Sequence, residues 1–170
     1  MAVDLREYQP DDFEELWQLD QQCFAPGIAY TRSELMHFLR QPGSIALVAN
    51  DGEPPICGFA IAENHTRRAR FSGFPGAAAA APPSGRAGKT GHVITIDVRE
   101  RRRRSGVGKL LMDALEARLR QAGCAAVYLE TAVDNAAAIS FYKHRGYTIL
   151  RTLPRYYHGE LDALLMAKNL

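Results

Sequence analysis

Apolar and polar residues alternate along this chain in short segments of two different periods. Val3 and Leu5 against Asp4 and Arg6 follow the period of two of a half-buried strand, predicted over 3–8. After Pro10-Asp11-Asp12 the period changes, and Phe13, Leu16, Trp17 and Asp20 recur at helical spacing as far as Cys23. Pro26-Gly27 marks a loop over 24–30. Thr31-x-x-Glu34 is a capping box that opens a second helix, predicted to about Arg40 and closed by Pro42-Gly43. Segments 44–50 and 56–63 read as strands joined by a turn at Asp51-Gly52, an antiparallel hairpin.

The strongest pattern lies at 92–122. Residues 93–98 are β-branched and extended in character. A basic, glycine-containing turn follows, then a long helix. Lys109, Asp113, Glu116 and Arg120 form its polar face, Leu110, Leu111, Ala114, Leu115 and Leu119 fill much of the rest, and Gly123 is its stop. Downstream, 126–131 reads as a strand, and Asp134-Asn135 cap a short helix running to about His144, with Gly146 at its end. A strand at 147–153, a loop at 154–159 and a strand at 161–167 complete the chain. The order is β-α-α-β-β-β-α-β-α-β-β. The strands before and after the long helix are expected to be parallel neighbours, so the fold class is α/β with a mixed sheet.

One stretch, 64–91, fits neither period. It holds Arg67, Arg68 and Arg70, then Gly-Phe-Pro-Gly, five consecutive alanines and Pro82-Pro83-Ser84-Gly85. It is read as a flexible insert, mobile at its tip, with its basic base near a substrate cleft.

Composition narrows the picture. At 170 residues, 46% hydrophobic and 24% charged, the chain is expected to be one globular domain. It has no apolar run long enough for a membrane span, and its start lacks the layout of a signal peptide. Cys23, Cys57 and Cys124 are unpatterned, which suits reduced thiols in the cytoplasm, and the histidines show no metal-ligand spacing. A net charge of +2 is too small for a general nucleic-acid surface. The positive charge is concentrated at Arg99 and Arg101 to Arg104, where it would draw in a polyanionic ligand.

Strand, glycine turn and helix together present backbone N–H groups and a helix N-terminus to a phosphate. A Walker A loop would need glycine where Arg103 stands and Ser or Thr where Leu110 stands. A dinucleotide fingerprint would need glycine at Leu111. Both readings fail. The stretch Arg103-Arg104-Ser105-Gly106-Val107-Gly108 instead resembles the Arg/Gln-x-x-Gly-x-Gly/Ala signature of the GCN5-related N-acetyltransferases. The resemblance implies that Arg103, Arg104, Ser105, Gly106, Val107, Gly108 and Lys109 cradle the diphosphate of acetyl-coenzyme A. It also implies that the strand at Ile96, Asp97 and Val98 pairs with the pantetheine arm.

The likeness extends through the second half. Residues 128–147, with Leu129-Glu130-Thr131, Asn135, Tyr142 and Gly146-Tyr147, resemble the RimI-like branch, which acetylates protein N-termini, notably the alanine N-terminus of a ribosomal protein. Tyr156-Tyr157…Asp162-Ala163 resembles that branch's ending. The fold implied is the GNAT fold, a mixed, mostly antiparallel seven-stranded sheet flanked by about four helices. The sequence departs from the branch at the longer 64–91 connection, at Glu100, where proline is common, at Arg103 in place of glutamine, and in the loop before Tyr30.

Acetyl transfer to an amine needs an unprotonated nucleophile, a stabilised oxyanion and a proton for the departing thiolate. An α-amine titrates near about 8 and a lysine near about 10.4, so a modest base serves the first better. The resemblance casts Glu130 as that base, directly or through water, Tyr142 as the acid, and Asn135 as a helix cap that also touches the cofactor. Tyr30, Tyr156 and Tyr157 are candidate walls of the acceptor site. The expected partners are acetyl-coenzyme A and a protein N-terminus, with no metal, no stable nucleic-acid contact and no membrane. A lysine or small-amine acetyltransferase, and a silent acyl-coenzyme A sensor, are the alternatives.

Overall fold

The computed structural model describes residues 3–52, 56–65 and 89–170. Its strands are β1 (Asp4–Glu7), β2 (Ser44–Asn50), β3 (Gly58–His65), β4 (Lys89–Val98), β5 (Cys124–Ala132), β6 (Thr148–Tyr157) and β7 (Leu161–Asn169). Its helices are α1 (Phe13–Cys23), α2 (Arg32–Arg40), α3 (Val107–Gln121) and α4 (Ala136–His144), with 3-10 turns at Pro10–Asp12 and Glu100–Arg102. Among the described residues the strands form one seven-stranded mixed sheet in the order β1-β2-β3-β4-β5-β7-β6. The element order is the one the periodicity predicts. No described helix is long and apolar enough to cross a membrane.

The chain divides into two compact units, Met1–Glu63 with Val93–Arg118, and Asn64–His92 with Leu119–Leu170. In the first, the antiparallel meander β1-β2-β3 pairs Leu5 with Ala49 and Val48 with Phe59. Leu16 and Leu19 of α1 and Leu35 of α2 pack with Val48, Phe59 and Ile61 to make its core. Helix starts are fixed locally. Asp12 receives both guanidinium nitrogens of Arg6 at 2.7 Å, and Thr31 and Glu34 close the predicted capping box in both directions. Gly58 is required by close approach: a Cβ there would lie 2.5 Å from the Asp97 carbonyl oxygen.

In the second unit, Lys89–His92 pairs in parallel with Cys124–Tyr128, and β5 pairs on its other side with β7, antiparallel. Tyr128, Leu153, Ala163, Leu165 and Ala167 form its core. Asn135 caps α4 by accepting the Ala138 N–H at 3.1 Å.

The boundaries differ from the predicted ones in two places. Strand β4 begins at Lys89 rather than at residue 93, because the ladder to β5 carries the weakly β-forming Lys-Thr-Gly-His. Strand β6 continues past Pro154 to Tyr157, where a loop was expected. β6 lies at the sheet edge, where a missing N–H costs little, and its pairing with β7 shifts register between Leu153 and Tyr157. Of the flexible insert expected over 64–91, residues 64–65 end β3 and 89–91 begin β4, where pairing within the sheet orders them; residues 66–88 lie outside the described residues.

Gly58→Ala should destabilise the protein by about 2 kcal/mol, the usual cost of forcing a methyl into filled space, because the atom it meets is backbone. Urea denaturation measures it; a wild-type midpoint would mean that the strand yields.

Candidate active site

In the first unit, the polypeptide leaves β4 through the 3-10 turn Glu100–Arg102 and enters α3 at Val107. Between that turn and the helix two residues take the left-handed conformation, Arg104 at φ 60° and Gly106 at φ 92°. Glycine suits the second, and open space lies where its Cβ would stand. The Leu110 N–H makes the first helical bond, to the Gly106 carbonyl at 2.9 Å. The Val107, Gly108 and Lys109 amides therefore have no carbonyl earlier in the helix to bond, an arrangement that, with the helix dipole, can receive an anion. Ser105 Oγ–H donates to the Arg102 carbonyl at 2.6 Å, which tightens the turn.

The arginines before the cradle are largely tied down rather than loose in solvent. Arg99 donates to the Ile56 carbonyl at 3.1 Å, Arg102 pairs with the buried Asp51, and Arg103 Nε donates to the Val98 carbonyl at 3.2 Å. An open depression of about 510 Å³ is lined by Leu19, Gln22, Cys23, Glu100 and three arginines, Arg99, Arg101 and Arg103. Its lining suits a polyanion.

Along β4, Ile94, Ile96 and Val98 are half-buried, whereas Val93, Thr95 and Asp97 are buried. Asp97 is fully enclosed and accepts Thr95 Oγ–H at 2.8 Å, so only its backbone remains for a cofactor. Tyr30 donates its hydroxyl to the Ile94 carbonyl at 3.1 Å and packs edge-on against Phe38.

The second unit gathers a different set. Glu130 Oε2 lies 2.6 Å from His92 Nε2, and both side chains are mostly buried. The His92 ring stacks on Tyr128, its ladder partner, with centroids 4.4 Å apart and planes 9° from parallel. His65 stands beside it at 6.3 Å between rings, although the sequence spacing of the histidines gave no hint of grouping. Burial first, and then the Glu130 charge, push the phenols of Tyr156 and Tyr157 far above the ordinary tyrosine range. Each phenol therefore keeps its proton and is able to donate it in a hydrogen bond. Their hairpin is held by Asp162, which accepts the N–H of Arg155, a residue in the left-handed region at φ 51°.

Tyr142 is buried on α4, its ring 5.6 Å from Tyr147 and 5.3 Å from Phe141. The structure thus brings Glu130, Tyr156 and Tyr157 into one neighbourhood, and the cradle residues 103–109 into another. Sequence reasoning missed His92. The signal available was the parallel pairing itself, which sets β4 beside β5, with Glu130 one pleat beyond Tyr128.

The model of the acetyltransferase (GNAT) family matches residues 4–147. The chain belongs to that family. It is 31% identical over 178 residues to N-alpha-acetyltransferase 60 of Drosophila melanogaster, an alignment covering 92% of this chain and 63% of that protein. Among solved structures, it superposes on Arabidopsis thaliana NAA60 in complex with acetyl-CoA with a TM-score of 0.80 at 22% identity, over 99% of each chain. It superposes on the ribosomal-protein-S18-alanine N-acetyltransferase of Escherichia coli with a TM-score of 0.75 at 19% identity, over 99% of this chain and 94% of that one. At these identities the structural likenesses establish the fold.

A spectrophotometric titration, with Tyr156→Phe and Tyr157→Phe for assignment, should find both phenols un-ionised through the ordinary tyrosine range near about 10. Glu130→Gln should bring their ionisation down; an unmoved curve would mean that the carboxylate is not felt there.

Proposed function

We propose that this protein transfers the acetyl group of acetyl-coenzyme A to the α-amine of a protein N-terminus, in the manner of the RimI-like branch, a ribosomal protein being one candidate acceptor. The observation that carries the reading is the 2.6 Å contact between Glu130 and His92, a carboxylate held by an imidazole. Names borne by relatives and neighbours, N-alpha-acetyltransferase among them, support it.

In this reading the amides of Val107, Gly108 and Lys109 and the side chains of Arg103 and Arg104 bind the diphosphate, and the backbone of Ile96, Asp97 and Val98 orients the thioester. Glu130 removes a proton from the attacking ammonium, directly or through water, while His92 fixes the carboxylate and shares the proton. The amine nitrogen bonds to the carbonyl carbon and the carbon–sulfur bond breaks. The phenol of Tyr142 then protonates the leaving thiolate, a transfer its buried position would shield from water. Asn135 sets the start of the helix that carries Tyr142. Tyr156 and Tyr157, kept as phenols, line the acceptor side and donate hydrogen bonds to it.

A thiol-release assay with acetyl-coenzyme A across peptide N-termini, lysine peptides and small amines tests the reaction and its acceptor class together. Turnover should be found with the N-terminal peptides; preference for lysine peptides or small amines would select the alternative enzyme, and no turnover the silent sensor. Glu130→Gln should lower kcat by about 10²-fold or more, the range for losing a general base. His92→Gln, which removes the 2.6 Å contact but not the carboxylate, should cost less. Gly106→Ala should raise the KM for acetyl-coenzyme A with little effect on the KM for the acceptor, because it strains the cradle at φ 92°.

A further inference from the structure

The first unit holds two carboxyl groups that the reaction does not use. Asp20 on α1 and Asp97 on β4 are both fully buried, and each has one oxygen, Oδ1, without a hydrogen-bond partner. Asp20 Oδ2 accepts the backbone N–H of Tyr30 at 2.7 Å and the Gln21 amide at 3.1 Å. The Tyr30 carbonyl in turn accepts Trp17 Nε1–H at 3.2 Å and Gln21 Nε2–H at 2.8 Å. Three side chains of α1 therefore grip the peptide groups of one residue, immediately before the Thr31 cap of α2. Tyr30's own hydroxyl reaches the Ile94 carbonyl of β4. Together these bonds clasp the segment Phe24 to Tyr30.

We propose that Asp20 is a positioning residue for the acceptor, its carboxylate holding Tyr30 and the segment before it in register. This rests on the reading of Tyr30 as an acceptor wall.

The chemistry of the pair supports it. An ionised carboxylate accepts an amide N–H about twice as strongly as a neutral acceptor does. A neutral amide or leucine would fill a buried site more cheaply, since burying a charge without a cation is costly. Groups of both signs face the pair. Asp20 feels Glu34 of α2; Asp97 feels Asp20, Thr95, Cys23 and Arg103. Burial, opposed by the Tyr30 and Gln21 bonds, pushes the Asp20 carboxyl up to about 6. Burial first, and then the Asp20 charge, hold Asp97 well above the carboxylate range, which suits the neutral form. Asp20 thus binds its proton more tightly in the folded chain than in the unfolded one. Folding stability should fall as pH rises from about 3.8 to about 6, and the deprotonated clasp is kept above that window at a cost to the whole fold.

Trp17, the single tryptophan, belongs to the clasp and reports on it. Its emission in the wild-type protein should titrate with a midpoint near 6 and be flat in Asp20→Asn. His37→Gln, which removes the imidazole beside Phe38, should leave the midpoint in place. Asp97→Asn, which mimics a protonated carboxyl, should fold and keep it. Above the window Asp20→Asn should melt at a higher temperature than wild type while its acceptor KM rises several-fold and its KM for acetyl-coenzyme A holds. A midpoint that survives Asp20→Asn overturns the proposal. So does a titrating clasp with an unchanged acceptor KM, which would also remove Tyr30 from the acceptor wall while leaving the acetyl transfer itself intact. If Asp20→Asn does not fold, the Tyr30 amide resonance of the wild-type protein decides: it should move with the same midpoint, and a flat amide overturns the proposal.

Discussion

The catalytic reading depends on where one short parallel ladder ends. Lys89–His92 pairs with Cys124–Tyr128, and the last pair is His92 with Tyr128. Side chains on a strand alternate with a period of two, so Glu130 projects on the face that Tyr128 occupies, one pleat further on. His92 is therefore placed over the Tyr128 ring with Nε2 at 2.6 Å from Glu130. A slip of one residue would turn Glu130 to the other face and separate the two groups. The antiparallel pairing of β5 with β7, from Ala126 to Ala132, fixes that register from the other side.

The same logic explains which parts of the molecule were legible beforehand. Elements with their own signals were read well: the Thr31–Glu34 box, the apolar stripe of α3, the Asn135 cap, the strand at 44–50 and the strand expected at 126–131, observed as Cys124–Ala132. Lys89 to Gly91 was assigned to a loop because its strand character comes from its partner rather than from its residues. Pro154 was read as a loop because proline breaks a central strand, whereas here it lies on an edge. His92 went unnoticed as a chemical group because its partner is distant in sequence. Asp97 was placed among cofactor contacts by position in the motif; its side chain is buried, which alternation along β4 explains once Ile96 and Val98 are assigned to the opposite face, and only its backbone is left for that role.

The basic run shows how composition can mislead about cost and use. Five arginines at 99 and 101–104 would repel one another if all were simply solvated. Three are instead anchored, Arg99 and Arg103 to main-chain carbonyls and Arg102 to the buried Asp51. Anchoring spends part of their charge on holding the turn before α3. It also fixes the remaining field beside the helix start, where a fixed charge needs no reorganisation to meet an anion. The turn is thus preorganised by the residues that give it its charge.

The partner chosen for Glu130 fits the chemistry proposed for it. An arginine within hydrogen-bond reach would favour the charged carboxylate permanently and so reduce its strength as a base. An apolar neighbour would leave a mostly buried carboxylate without a bond. An imidazole at 2.6 Å gives the carboxylate a hydrogen-bonding partner without a fixed guanidinium charge beside it. Such a pair is suited to an α-amine, whose proton leaves near about 8, and less to a lysine, whose proton is held to about 10.4. The nearby phenols of Tyr156 and Tyr157 reinforce the choice. Kept un-ionised by burial and by the Glu130 charge itself, they would add no second negative charge to a site that, in the proposed reaction, receives a cationic ammonium and releases it as a neutral amide.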